Sequence, residues 1–307
     1  MAAAFRRQDY LDNRHTCYVG DLGLAANPAL LAAIAQADLV LALGTRLSDT
    51  TTGAYSRLPQ AAGLVHVHPD PGELGKVLAP DLAIAAAAPD LIAALSECQA
   101  SPAQAHHPAD LRAAYEAWQR PRPDPGAVQK AEIVHWLSGE LPEDAVITNG
   151  AGNYAAWLHR YFRFKGFRSQ LAPTSGSMGY GLPAAVAAKL AHPHRTVLAL
   201  AGDGCFQMTG AELATAAQYR AGVIVLLVNN GQYGTIRMHQ ERSFPGRVSG
   251  TSLVNPDFPA LAAACGAWSA QVTDTHAFPA VFAQARAAAD EGRPALLELV
   301  ADPAALA

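Results

Sequence analysis

Hydrophobic positions in this chain fall in short runs rich in Val, Leu and Ala, separated by alanine-rich stretches with helical spacing. Runs without polar alternation mark strands buried on both faces, and the stretches between them read as crossover helices. The pattern predicts an α/β fold of two parallel-sheet, three-layer domains. In the first, strands are expected over 17–19, 38–43, 64–68 and 82–85, with helices over 28–36 and 89–98. That is few strands for a doubly wound sheet. The first of them is preceded only by Arg6-Arg7-Gln8-Asp9, so its edge has nothing to cover it, and a further segment N-terminal to it is expected. In the second domain, strands are expected over 145–148, 196–201, 223–229, 268–273 and 295–301, with helices over 128–140, 179–191, 209–219, 256–265 and 278–290. Between the two, 99–126 shifts in composition. His106-His107-Pro108 and Pro121-Arg122-Pro123-Asp124-Pro125-Gly126 bracket one short helix at 111–120, which reads as a linker.

Composition narrows the function classes. With 307 residues, 50% hydrophobic and 16% charged, the chain can bury a sizeable core, which argues against disorder. A formal charge of -4 and scattered arginines offer no basic field for nucleic acid or an anionic membrane. No run reaches the roughly 18 apolar residues that a spanning helix requires, and the first residues lack the apolar core of a signal peptide. Cys17, Cys98, Cys205 and Cys265 are widely spaced, with neither a disulfide framework nor metal-ligand spacing. A soluble cytoplasmic protein acting on a small molecule is the expectation.

The chemistry gathers where two apolar runs stop. The run 196–201 ends in Gly202-Asp203-Gly204, and the run 223–228 ends in Asn229-Asn230. Ligands of open α/β sheets bind beyond the carboxyl ends of the strands. Glycines flanking an acid let the backbone approach an anion while the carboxylate holds a hard cation. Thr209-Gly210-Ala211-Glu212 fits a capping box opening the helix between the runs. A strand–helix–strand unit puts Asp203 and Asn230 on one rim, where a carboxylate, an amide oxygen, a backbone carbonyl and phosphate oxygens complete the octahedral shell of Mg²⁺. Either motif alone also reads as a tight turn or a strand terminator.

On these residues the chain resembles the thiamine-diphosphate enzymes of the acetolactate synthase, benzoylformate decarboxylase and pyruvate decarboxylase group. Their signature is Gly-Asp-Gly followed further on by Asn-Asn. The resemblance implies thiamine diphosphate and Mg²⁺ as cofactors, with Asp203, Asn230 and the backbone carbonyl of Gln232 on the metal. It implies phosphate contacts from Gly202, Gly204, Cys205, Tyr233, Gly234 and Thr235. Thr148-Asn149-Gly150-Ala151-Gly152-Asn153 resembles the family loop that reaches the phosphates and the aminopyrimidine edge, implying Asn149, Gly150, Ala151 and Gly152. Thr174-Ser175-Gly176-Ser177-Met178-Gly179 resembles the segment behind the cofactor, implying Gly176, Ser177 and Met178, with Met178 wedged between the two rings. Methionine is elsewhere a core filler.

The resemblance also sets the domain plan and its gap. Residues 1–98 look like part of a central Rossmann-like domain, 99–125 a linker, and 126–307 the domain binding the diphosphate and Mg²⁺. In the family, the glutamate that starts the proton relay lies in a separate pyrimidine-binding domain, and no residue here matches it, so the catalytic residue is unknown. Two readings stay open: a decarboxylase or carboligase of 2-oxo acids whose site is completed in a homo-oligomer or by a partner chain, or a non-catalytic cofactor-binding subunit or fragment. His66-Val67-His68 ends a strand where a lone paired-histidine metal site competes with a nucleotide pocket that holds FAD in some family members and nothing in others. His239 stands where acetolactate synthases usually carry Trp. It reads equally as a substrate-facing acid/base or as a helix surface residue.

Overall fold

The computed structural model describes residues 1–98 and 108–306, and the chain divides into two compact units. The first comprises Met1–Arg7 and His15–Trp118, the second Gln8–Arg14 and Gln119–Ala307. Residues 99–107, read as connecting chain, lie outside the described residues.

In the first unit, α1 (Pro28–Ala35) opens on Asn27, whose side chain accepts from the Ala29 amide at 3.0 Å, and Pro28 occupies a first-turn position that needs no N–H. β1 (Leu39–Leu43), α2 (Asp49–Thr52), β2 (Gly63–His68), β3 (Leu82–Ala85), α3 (Ala88–Ser96) and α4 (Pro108–Trp118) follow. The strands form a parallel sheet in the order β1-β2-β3, over a small core of Ala42, Leu47 and Leu64. Residues 17–19, expected as a strand, are not one. Tyr18 and Val19 are buried; the Val19 amide donates to the Met1 carbonyl at 3.1 Å beside a single parallel bridge between Ala3 and Asp21, too short a pairing to make a strand, and side chains complete the packing. The Tyr18 ring meets Tyr115 edge-on at 5.2 Å, and Arg112 donates to the carbonyls of His15 and Tyr18 at 2.9 and 3.0 Å. Arg112 and Tyr115 both come from α4, so the helix expected within the connecting chain is packed into this unit.

The second unit contains α5 (Lys130–Glu140), β4 (Val146–Asn149), α6 (Ala155–Tyr161), β5 (Gln170–Leu171), α7 (Gly181–Ala191), β6 (Val197–Gly202), α8 (Asp203–Gln207), α9 (Glu212–Gln218), β7 (Ile224–Asn229), α10 (Gly234–Ser243), α11 (Phe258–Ala264), β8 (Trp268–Val272), α12 (Phe278–Asp290) and β9 (Ala295–Val300). Its six strands are all parallel, in the order β5-β4-β6-β7-β9-β8. Every residue of β4 and β6 is buried, as are Ile224–Val228 of β7, because alternate side chains enter two separate cores. Leu198, Leu200 and Leu226 face Ile133, Trp157 and Phe282 of α5, α6 and α12. Val197, Ala199 and Leu227 face Leu182, Leu213 and Phe258 of α7, α9 and α11. This is a three-layer α/β sandwich, as the apolar runs predict. The expected capping box does not form. The Thr209 hydroxyl donates to the Gly179 carbonyl at 2.8 Å, and α9 starts only at Glu212. Among the described residues no helix is long and apolar enough to cross a membrane.

Leu226 is fully buried at the centre of this sheet, whereas Val254 is fully exposed. Leu226→Ala is expected to destabilise the fold by about 2–5 kcal/mol, and Val254→Ala by less than about 0.5 kcal/mol. Urea unfolding followed by circular dichroism measures both; similar costs for the two would contradict the two-core description.

Candidate functional site at the carboxyl rim

β6 and β7 run in parallel register with Gly202 opposite Val228, so both strands end at one level and release Asp203 and Asn230 side by side. A cavity of about 230 Å³ opens there. The loop after β4 brings Ala151, Gly152 and Asn153 to it, the segment before α7 brings Gly176 and Met178, and Tyr233, Gly234 and Thr235 enter where α10 begins. α10 has ten residues, and its first-turn amides and the positive end of its dipole lie at the cavity.

Asp203 is 2% exposed. Its Oδ1 accepts from the Gly204 amide at 2.9 Å, and its Oδ2 accepts from the Gly231 amide and from Asn255 Nδ2, each at 2.8 Å. Burial pushes its pKa up, opposed by these N–H donors. Among the described residues no Lys, Arg or His pairs with it, so the buried charge is met by neutral donors only. Asn229 and Asn230 divide the work. Asn229 is structural: its Nδ2 donates to Glu298 at 2.6 Å and its Oδ1 accepts from Asn255 Nδ2 at 2.7 Å. Asn230 lines the cavity. The Gln232 side chain is committed, donating from Nε2 to the Pro303 carbonyl at 2.6 Å and accepting from Arg237 at 2.9 Å. Its backbone carbonyl accepts from the Gly234 amide at 3.0 Å, with one lone pair left.

Behind the cavity stands Tyr154. A Cβ on Gly152 or Gly202 would lie 2.6 or 2.7 Å from its ring, so both glycines make room for a tyrosine. Its hydroxyl accepts from the Gly150 amide and donates to Cys205 Sγ, each at 3.1 Å, and Sγ also accepts from the Gly179 amide at 3.1 Å. The loops after β4 and β6 and before α7 are thereby tied together through one phenol and one thiol.

Of the residues singled out by sequence, Asp203, Asn230, Gln232, Ala151, Gly152, Gly176, Met178, Gly202, Gly204, Cys205, Tyr233, Gly234 and Thr235 all line this cavity. Three do not. Asn149 is fully buried at the end of β4 with its Nδ2 on the Gly150 carbonyl at 2.7 Å, Gly150 backs onto Tyr154 and Cys205, and Ser177 is exposed, its hydroxyl 2.9 Å from that of Ser175. Met178 is 37% exposed at the cavity wall, not the core filler that methionine usually is. His239 is exposed on α10 and outside the lining. In the first unit His66 is buried, its Nε2 donating to the Thr45 carbonyl at 2.9 Å. Sequence reasoning missed Lys130, Tyr154, Trp157, Ile236 and Ala305 in the lining, and Asn255 beside Asp203. Tyr154, Trp157 and Ile236 lie just beyond segments already singled out but belong to no motif, whereas Lys130, Asn255 and Ala305 reach the rim from distant parts of the chain.

Comparison with known proteins gives the family of both units. Residues 150–299 match the family described as thiamine pyrophosphate enzyme, C-terminal TPP binding domain, and residues 1–95 match thiamine pyrophosphate enzyme, central domain. The chain is 31% identical over 300 residues to the acetolactate synthase large subunit of Corynebacterium glutamicum, covering 93% of this chain and 47% of that protein. It is 34% identical over 270 residues to the acetolactate synthase of Mycobacterium bovis, covering 82% and 43% respectively. With the acetolactate synthase isozyme 2 large subunit of Escherichia coli it shares 31% over 258 residues, covering 83% and 47%. The chain thus spans about half the length of the curated relatives it matches. It belongs to the thiamine pyrophosphate enzymes, in the group that includes the acetolactate synthases, and carries their central and C-terminal cofactor-binding domains.

Proposed function

We propose that the rim cavity holds the diphosphate of thiamine diphosphate (thiamine pyrophosphate) together with Mg²⁺, and that the protein is a cytoplasmic decarboxylase or carboligase of 2-oxo acids, similar to the acetolactate synthases. The observation that carries this reading is the buried Asp203 carboxylate, met only by neutral donors, in one cavity with Asn230, Gln232 and the start of α10. A hard cation relieves such a charge. Among the described residues no three His, Cys, Asp or Glu side chains gather as a metal cluster. The ligand set proposed here needs only one of them: Asp203, with the amide oxygen of Asn230 and the backbone oxygen of Gln232.

Gly204, Cys205, Tyr233, Gly234 and Thr235 hold the phosphates, in keeping with the amide-rich start of α10, and Gly176 and Met178 face the ring portion. When bound, thiamine diphosphate supplies a nucleophilic carbon and an electron sink for loss of CO₂ from a 2-oxo acid. The chain's own residues anchor the tail, fix its orientation and keep water from it with the largely apolar wall of Tyr154, Trp157, Val228 and Ile236. The cavity is smaller than the roughly 300–1,000 Å³ of pockets that enclose a whole drug-sized ligand, which suits a cradle for one end of the cofactor. The glutamate that activates the cofactor is assigned to a pyrimidine-binding domain outside these residues, in the same protein, its homo-oligomer or a partner chain.

Two measurements test the proposal. In calorimetric titration with thiamine diphosphate and Mg²⁺, Asp203→Ala is expected to weaken binding by more than about tenfold; equal affinity for parent and variant would remove the metal assignment. In a CO₂-release assay on pyruvate, the chain alone is expected to be inactive and to gain activity when a pyrimidine-binding domain is supplied. Release by the chain alone would contradict an externally contributed glutamate.

A further inference from the structure

Lys130 is 3% exposed and lines the same cavity, although no motif includes it. It is the first residue of α5, the helix that leads into β4. A helix that feeds a parallel strand starts at the carboxyl rim, so Lys130 enters the site from the level of Gly202-Asp203-Gly204. Its Nζ lies over the Trp157 ring, 4.0 Å from the centroid.

The ammonium is under-supplied with acceptors. It carries three N–H donors. One reaches the Ala305 carbonyl at 3.2 Å. The nearest carboxylate, Asp124, forms an ion pair with it at 3.8 Å but not a close hydrogen bond, and it also accepts from the Lys130 backbone amide (Oδ2) and from Trp157 Nε1 (Oδ1), both at 3.1 Å. Burial lowers the Lys130 pKa, against the pull of Asp124 and Asp302. A buried cation with unmet donors is costly, and a methionine would fill the same volume without that cost. The residue therefore makes physical sense if an anion completes its shell inside the cavity. The position of that anion is constrained by the C-terminal segment that holds Lys130's acceptor. Ala305 is followed by Leu306, whose Cδ2 lies 3.1 Å from where a Cβ on Gly234 would stand, and Asn230 Nδ2 lies 3.2 Å from the same point. The ammonium is thus tied to the stretch that abuts the Asn230–Gly234 loop.

We infer that Lys130 is a further binding residue of this site, donating an ammonium hydrogen bond and a positive charge to the cofactor's diphosphate. The inference rests on the diphosphate reading above. A diphosphate ester bears more negative charge than one divalent cation neutralises, and Asp203 adds another; Lys130 is the one ammonium or guanidinium among the described residues of the lining.

The test titrates magnesium pyrophosphate, and separately thiamine diphosphate with Mg²⁺, into the full chain as parent, Lys130→Met and Lys130→Arg. The unliganded melting midpoint is measured for each. Lys130→Met keeps the stem on Trp157 and removes the charge. It is expected to weaken magnesium pyrophosphate about tenfold or more, as befits loss of a hydrogen bond to a charged group, without lowering the unliganded midpoint. Lys130→Arg is expected to restore part of the affinity, and the parent's affinity should fall more steeply with added KCl than that of Lys130→Met. Because pyrophosphate has no carboxylate, this arm separates a diphosphate contact from one to a 2-oxo acid. If Lys130→Met fails to fold, Lys130→Gln carries the same comparison. Equal affinity and equal salt dependence in parent and neutral variant would overturn the role of Lys130 and leave the diphosphate reading standing. A parent that binds neither pyrophosphate nor thiamine diphosphate would overturn both.

Discussion

The buried carboxylate of Asp203 sits where two neighbouring parallel strands end together, and the surrounding rim is arranged around its charge. Parallel pairing sets the level: with Gly202 opposite Val228, the residues after β6 and β7 leave the sheet at the same height. A carboxylate at that point has lost water and must be repaid by protein donors. The amides of Gly204 and Gly231 and the side chain of Asn255 supply them. Asn255 also bonds Asn229, and Asn229 in turn is held by Glu298 from the neighbouring β9. The charge is therefore fixed through the strand ends themselves, and Asn230, one residue beyond, is left to face the cavity.

This fixity depends on the layers beneath. β6 is buried on both faces, so its end cannot shift without disturbing two cores at once. The loops on the rim inherit that rigidity through short links: the phenol of Tyr154, the thiol of Cys205 and the Thr209 hydroxyl on the Gly179 carbonyl. A site built this way is organised before any ligand arrives, which lowers the ordering cost of binding.

The sheet was legible in sequence because a strand buried on both faces leaves an uninterrupted apolar run, and the runs ending at Gly202 and Asn229 both form central strands. What failed was structure without a periodic signal. Residues 17–19 looked like a strand because they are apolar, yet Tyr18 is buried by a tyrosine nearly a hundred positions away. Thr209 looked like a cap because its spacing to Glu212 was right, but its hydroxyl had a tertiary partner. The two-residue β5 and the short α6 and α8 were too brief to show a period. At the site, the residues that follow the two strand ends were legible, while Asn255 and Lys130 were not, since only folding brings them to the rim.

The glycines of the rim show where a motif can mislead even when it marks the right place. Read in sequence, the glycines flanking Asp203 clear a path for an anion. In the folded chain, Gly152 and Gly202 clear a path for the Tyr154 ring, and a Cβ on Gly150 would meet Cys205 Sγ at 2.5 Å. By contrast Gly176 has a φ of +74°, and a Cβ there would meet nothing within 4 Å. Its glycine answers to backbone conformation rather than to crowding. The same residue type thus meets two separate demands on one rim: close packing of the wall behind the cavity, and an unusual turn in the segment at its mouth. Substituting the first kind moves Tyr154 and with it the link to Cys205. Substituting the second strains only a turn. The glycine-rich signature is therefore partly a record of how tightly the wall packs, and only the residues projecting beyond that wall, Asp203, Asn230 and Lys130 among them, have side chains whose chemistry a ligand would read.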